Sequence, residues 1–165
     1  MLYTLGHSNH SAGKFLELLR QHGIEAVADV RSQPVSRFSP HFRKRELERL
    51  LAEHGIAYVW LPGLGGRPQD PALRDAAGRP DYARMAASAA FGEGLEALKK
   101  LASGRRVAVL CSEEDPNRCH RRLLVVKALT GENPALAAEI YHIRKDGSAQ
   151  AEAELARFDP PPGLW

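Results

Sequence analysis

Apolar positions along this chain follow two alternating rhythms. Short continuous or alternating runs, rich in small and β-branched residues, read as buried strands at residues 2–6, 25–30, 56–61, 107–110 and 139–143. Between them, apolar residues recur at intervals of three and four, the period of a helix with one buried face. Phe15, Leu18, Leu19 and His22 form the first such face, with Ser11 placed to cap its start and Gly23 just past its end. Leu47, Leu50, Leu51 and His54 form the second, opened by Ser39-Pro40 and closed by Gly55. Residues 81–102 are rich in Ala and Leu and predict a third helix, with a break at Gly92 to Gly94. Leu123 to Val126, with Leu129, form the apolar side of a fourth, for which Asp115-Pro116 supply a cap and a first-turn proline.

Strand and helix therefore alternate along the whole length. That pattern predicts an α/β three-layer sandwich: a mostly parallel, five-stranded sheet with helices on both faces, in one domain spanning residues 1–165. Residues 62–80 are an irregular stretch long enough to suggest a functional loop or lid. The Pro-rich end is expected to lie on the surface, pinned by burial of Leu164-Trp165.

Composition narrows the class. A chain of 165 residues with 44% hydrophobic content is long enough to bury a core. No apolar run approaches the roughly 20 residues of a membrane span, and no secretory leader pattern opens the chain. A cytoplasmic protein with two reduced cysteines is expected. The net charge of +3 permits an anionic small molecule or a nucleic acid as partner without demanding either. The oligomeric state stays open. Charge is concentrated at Arg31, Arg37, Arg43, Lys44 and Arg45, a stretch without an acid, which predicts an anion-attracting wall.

Three predicted strand ends carry polar clusters: His7-Ser8, Asp29 to Arg31, and Cys111 to Glu113. In a parallel sheet all three lie on the edge where ligands bind. Asp29 and Arg31 share one side of their strand, so they form either a catalytic acid with an anion clamp or a structural ion pair. Arg31 and Arg37 sit in a loop, where a ligand role is favoured over simple solvation. Arg121 and His120 are expected to point back toward the Cys111 turn. Gly63 to Gly66 could form a flexible lid with Arg67 as a further anion contact; no phosphate-loop lysine follows. A thiol between a strand and a helix can be activated, but Glu113, Glu114 and Asp115 follow Cys111 at once, and an inert buried thiol is the commoner fate. Cys119 shares a helical stripe with Leu123 and Val126 and is expected to face the core. The spacing of Cys111, Cys119 and His120 matches no usual zinc pattern, so no metal is assigned and the cofactor is left unspecified.

Several of these stretches together resemble the DUF488 family: Thr4-Leu5-Gly6-His7-Ser8, Asp29-Val30-Arg31 with Pro34 and Ser36-Arg37, Leu64-Gly65-Gly66, and Cys111-Ser112-Glu113 with Cys119-His120-Arg121. The resemblance implies a small cytosolic α/β domain of bacteria and archaea with no assigned activity. Ser112 departs mildly from the small residue expected there.

The leading functional expectation is a small enzyme acting on a phosphorylated or nucleic-acid-like anion. Asp29, Glu113, His7, His120 and Cys111 are the candidate catalytic groups; Ser8, Arg31, Arg37, Arg67 and Arg121 are the candidate substrate contacts. Mg²⁺ carried in with the substrate would suit the carboxylates. The alternatives are a non-catalytic nucleic-acid or nucleotide-binding module and a protein using Cys111 for sulfur transfer or thiol redox.

Overall fold

The computed structural model describes residues 1–160. The Leu164-Trp165 pair, expected to be buried, lies outside the described residues. Strands β1 (Leu2–Gly6), β2 (Ala26–Asp29), β3 (Ala57–Trp60), β4 (Val107–Cys111), β5 (Ile140–Ile143) and β6 (Ala149–Ala151) form one sheet in the order β3-β2-β4-β1-β5-β6. The first five are parallel, and β6 runs antiparallel to β5. The sheet thus has six strands where the hydrophobic pattern predicts five. The extra strand, Ala-Gln-Ala, is too short and polar to show as an apolar run. Its sequence signal is Asp146-Gly147, a hairpin turn in which Gly147 takes a positive φ of 89°.

Helices α1 (Ala12–Gln21) and α2 (Lys44–Glu53) cover one face of the sheet. Phe15, Leu18, Leu19, Leu47 and Leu51 pack there against Tyr3, Leu5, Val27, Ala108 and Leu110. The opposite face carries α3 (Tyr82–Ala86), which buries Met85, α4 (Ala89–Ala102) and a π-helical segment, Arg121–Val126, that runs into α5 (Lys127–Glu132). Phe91, Leu95, Leu98, Leu124, Val125 and Leu129 pack there against Ala26, Ala28, Val107 and Val109. Alternate residues of β2 and β4 enter opposite cores, so both strands read as unbroken apolar runs. The three-layer expectation holds. Among the described residues, no helix is long and apolar enough to cross a membrane.

Element starts differ from the expected ones in three places. Ser39-Pro40 open a 3₁₀ turn (Pro40–Phe42) rather than α2, which begins two residues after that turn. The 81–102 region divides before Ser88, whose Oγ caps α4 by accepting the Phe91 N–H, and not at its glycines. A Cβ on Gly94 would lie 3.0 Å from the Leu64 side chain, so that glycine serves close packing. Asp115-Pro116 likewise open only a 3₁₀ turn (Pro116–Arg118). Cys119 is extended, at φ −127° and ψ 138°, and its carbonyl accepts the Arg122 and Leu123 N–H groups. The helical segment therefore begins after Cys119, which leaves the stripe of Leu123 and Val126.

A cleft floored by two thiols and an imidazole

The carboxyl ends of the parallel strands meet as the topology requires. The His7 N–H donates to the Cys111 carbonyl at 2.8 Å, Ser8 N–H to the Ser112 carbonyl at 2.9 Å, and Val30 N–H to the Leu110 carbonyl at 3.0 Å. Gly6 explains itself here: a Cβ would fall 1.8 Å from the Glu113 carbonyl oxygen, so only glycine lets β1 approach the turn after β4. That turn is held by Arg121, a fully buried guanidinium. Its Nε donates to Thr4 Oγ1 at 3.1 Å and its terminal nitrogens to the carbonyls of Glu113 and Glu114. Arg121 does point back toward the turn, but its donors there are committed to protein oxygens.

Asp29 and Arg31 form an ion pair that is 0% and 3% exposed. Arg31 donates through Nε to Asp29 Oδ1 at 2.9 Å and through a terminal nitrogen to Oδ2 at 2.7 Å; its other terminal nitrogen donates to the Phe42 carbonyl at 2.8 Å. Tyr58 Oη adds a donor to Asp29 Oδ2 at 2.6 Å, and burial with that carboxylate pushes the phenol upward in pKa. His7 stacks on Phe42, faces the Ser8 carbonyl with Nδ1, and meets Arg31 with Nε2 at 3.3 Å. Burial lowers its pKa to about 4, so it is neutral at pH 7. Of the two readings of Asp29 and Arg31, the contacts are those of a structural ion pair with His7 as its third member. Ser8 holds the turn after β1 at a positive φ of 45°.

Beside this braced edge lies a cleft of about 930 Å³, outside the ends of β2, β3 and β4. Arg31, Arg67, Cys111, Glu113 and His120 line it; His7, Ser8, Asp29, Arg37 and Arg121 do not. Arg37 is exposed, with its guanidinium over Phe38. The expected basic wall is dispersed: Arg31 is buried, Arg43 Nε donates to the Ser36 carbonyl, and Lys44 pairs with Glu48. Ser32, Trp60, Tyr82 and Arg118 also line the cleft and were not singled out from sequence. Each comes from a different segment, and no local motif links them. The stretch 62–80 forms one wall, held within itself by Arg74, which donates to the Pro68 and Gly78 carbonyls, and to the loop after β2 by the Arg67 N–H, which donates to Ser32 Oγ.

The floor of the cleft holds both cysteines and His120. Cys111 ends β4, and Cys119 and His120 precede the π-helical segment, an element that recurs at functional sites. His120 Nε2 lies 2.9 Å from the Val30 carbonyl, which can only accept, so Nε2 bears the proton and Nδ1 offers its lone pair. That lone pair faces Cys111 Sγ at 3.5 Å and Cys119 Sγ at 3.9 Å. Gly66 packs on the ring; a Cβ there would lie 2.6 Å from His120 Cγ. Gly65 is similarly confined: a Cβ there would lie 2.2 Å from Ser32 Oγ. The Leu-Gly-Gly run is thus a close-packed support for the imidazole rather than a flexible lid. A hydrogen bond from Cys119 lowers the Cys111 pKa to about 7, against burial and helped by the Ser112 and Glu113 amides and the Arg121 charge; Cys119 is pushed up to about 12. Cys119 is buried as expected, yet its sulfur faces the other thiol and the imidazole.

The sequence model of a family described as "Domain of unknown function DUF488" matches residues 11–127. The chain belongs to the DUF488 family. Neither a curated protein nor a solved structure matches it. The matched DUF488 span contains the ion pair, the glycines that support His120, and both cysteines.

Proposed function

We propose that this DUF488 protein is a thiol-dependent enzyme, working in a reducing, cytoplasmic setting, that uses Cys111 for sulfur transfer or thiol redox on an anionic substrate in the cleft. The observation that carries this reading is the Cys111 Sγ to His120 Nδ1 approach of 3.5 Å, with the imidazole oriented from behind by the Val30 carbonyl. Nucleophile, base and a third group that orients the base are the recurring parts of an activated nucleophile. His120 takes the Cys111 proton. The sulfur then attacks the outer sulfur of a substrate persulfide, taking it up as a Cys111 persulfide and expelling the inner sulfur as a thiol protonated by His120, or it attacks a substrate disulfide and expels the other sulfur as a thiol protonated by His120. Cys119 sits where a resolving thiol would attack the resulting mixed disulfide, giving a Cys111–Cys119 disulfide and releasing the remaining substrate thiol. Arg67 and Arg118 at the cleft keep the phosphorylated or nucleic-acid-like character expected of the substrate.

The test is iodoacetamide labelling of the reduced chain at neutral pH, read by peptide mass mapping. Fast labelling of Cys111 with Cys119 untouched is expected, and His120→Gln should slow it. Two slow thiols would remove the proposal.

A further inference from the structure

We infer that Cys111, Cys119 and His120 form a binding site for one soft divalent metal ion, zinc in its simplest form, whose occupancy caps the reactive thiol. This inference rests on the thiol reading of the same floor and adds a ligand that would inhibit it. The Cys111 and Cys119 sulfurs and a His120 nitrogen lie within 4.8 Å of one another. A tetrahedral zinc with bonds of about 2.3 Å to sulfur and about 2.0–2.1 Å to nitrogen requires sulfur–nitrogen edges of about 3.6 Å and a sulfur–sulfur edge of about 3.8 Å. The two sulfur–nitrogen distances here are 3.5 and 3.9 Å. The sulfurs need close by at most about 1 Å, since their separation does not exceed 4.8 Å.

Two further features favour a metal over chance proximity. The nitrogen facing the sulfurs is the unprotonated one, and the other ring nitrogen donates to the Val30 carbonyl at 2.9 Å. Metal-ligating histidines characteristically have such a backing partner, which fixes the tautomer and the ring plane. Secondly, all three residues line the cleft. A fourth position would therefore face the opening, as in zinc sites that keep one exchangeable ligand. Two thiolates and a neutral imidazole balance the charge of a divalent ion. Sulfur ligands select zinc, cadmium or cobalt over magnesium and calcium. The spacing rule misses the site because Cys111 comes from a strand end and the other two from a helix start. Sheet pairing and the turn held by Arg121 bring them together.

The experiment titrates the reduced, chelator-treated full chain with Co²⁺, then Zn²⁺, with Mg²⁺ as control. One Co²⁺ per chain is expected, with thiolate-to-metal charge transfer and tetrahedral absorption bands, displaced by Zn²⁺ and indifferent to Mg²⁺. Cys119→Ser and His120→Gln should each weaken binding by at least about 10-fold, since loss of an outer-shell partner alone costs 10–100-fold. Zn²⁺ should also protect Cys111 from iodoacetamide. The inference is overturned if the reduced wild-type chain takes up neither ion, or if both variants bind as well as wild type. Fast Cys111 labelling without metal uptake would sink the metal site and leave the thiol reading standing. Metal uptake by a chain whose metal-free Cys111 is unreactive would do the reverse.

Discussion

Removing Arg31 should destabilise this protein before it tells anything about catalysis. Arg31→Ala strands the Asp29 carboxylate, 0% exposed, with Tyr58 as its remaining side-chain donor, and leaves the Phe42 carbonyl without the donor it receives from Arg31. Breaking a buried pair from one side costs about 3–5 kcal/mol, because the surviving charge remains in a poorly polarisable interior. At roughly 2–4 °C per kcal/mol for a domain of this size, Arg31→Ala should lower Tm by roughly 6–20 °C. Asp29→Ala should cost a similar amount from the other side. The Asp29→Ala/Arg31→Ala double variant should lose clearly less than the sum of the two, since neither charge is then left alone. The assay is thermal and urea unfolding of the four chains, followed by circular dichroism. Single variants that keep wild-type stability would refute the structural assignment. If they also lost ligand binding, Asp29 and Arg31 would return as acid and anion clamp.

Three other outcomes are open to measurement. Gly66→Ala should cost about 1–3 kcal/mol by overpacking against the His120 ring, seen as a lower urea midpoint, and should slow Cys111 labelling even in chains that remain folded. Cys111 labelling should rise with pH about a midpoint near 7, with roughly half the thiol ionised there against about three-hundredths for an ordinary cysteine; a midpoint near 9 would count against the Cys119 and amide contacts. Between pH 6.5 and about 4 the unfolded chain protonates at His7 while the folded chain does not, because burial holds the folded value down. Stability should therefore fall as pH drops through that window, by up to about 3 kcal/mol, and His7→Gln should flatten the dependence; an unchanged slope in urea titrations at pH 7 and 4.5 would refute it.

Much of the fold was legible because its signals are local. Phe15, Leu18 and Leu19 repeat at helical spacing, and the β4 run Val107 to Leu110 is apolar because both faces of that strand are covered. Glycines 23 and 55 close α1 and α2 in the left-handed conformation that favours glycine. The convergence of strand ends followed from strand–helix alternation alone. Less legible were the strand β6, whose only signal was Asp146-Gly147, and the helix starts. Prolines after Ser39 and Asp115 marked short 3₁₀ turns, since a first-turn proline suits one turn or many; Asp115 caps its turn through the Asn117 N–H, whereas the Ser39 side chain caps none.

The site divides along the same line. Sequence alone determined which groups would gather: His7, Asp29, Arg31, Cys111, His120 and Arg121 all reach one edge of the sheet, because parallel strands place their carboxyl ends together. Sequence could not assign their roles. A guanidinium that binds an anion and one that braces a turn are the same letter; only the three carbonyl and carboxylate partners around Arg31, and the oxygens around Arg121, separate brace from ligand contact. Likewise the helical wheel sent Cys119 to the core. Tertiary structure turned it toward Cys111 and His120, because the chain stays extended at that residue and the helix begins one step later. Local propensity sets periods and caps, whereas the partner of a buried polar group is decided by whichever distant segment packs against it.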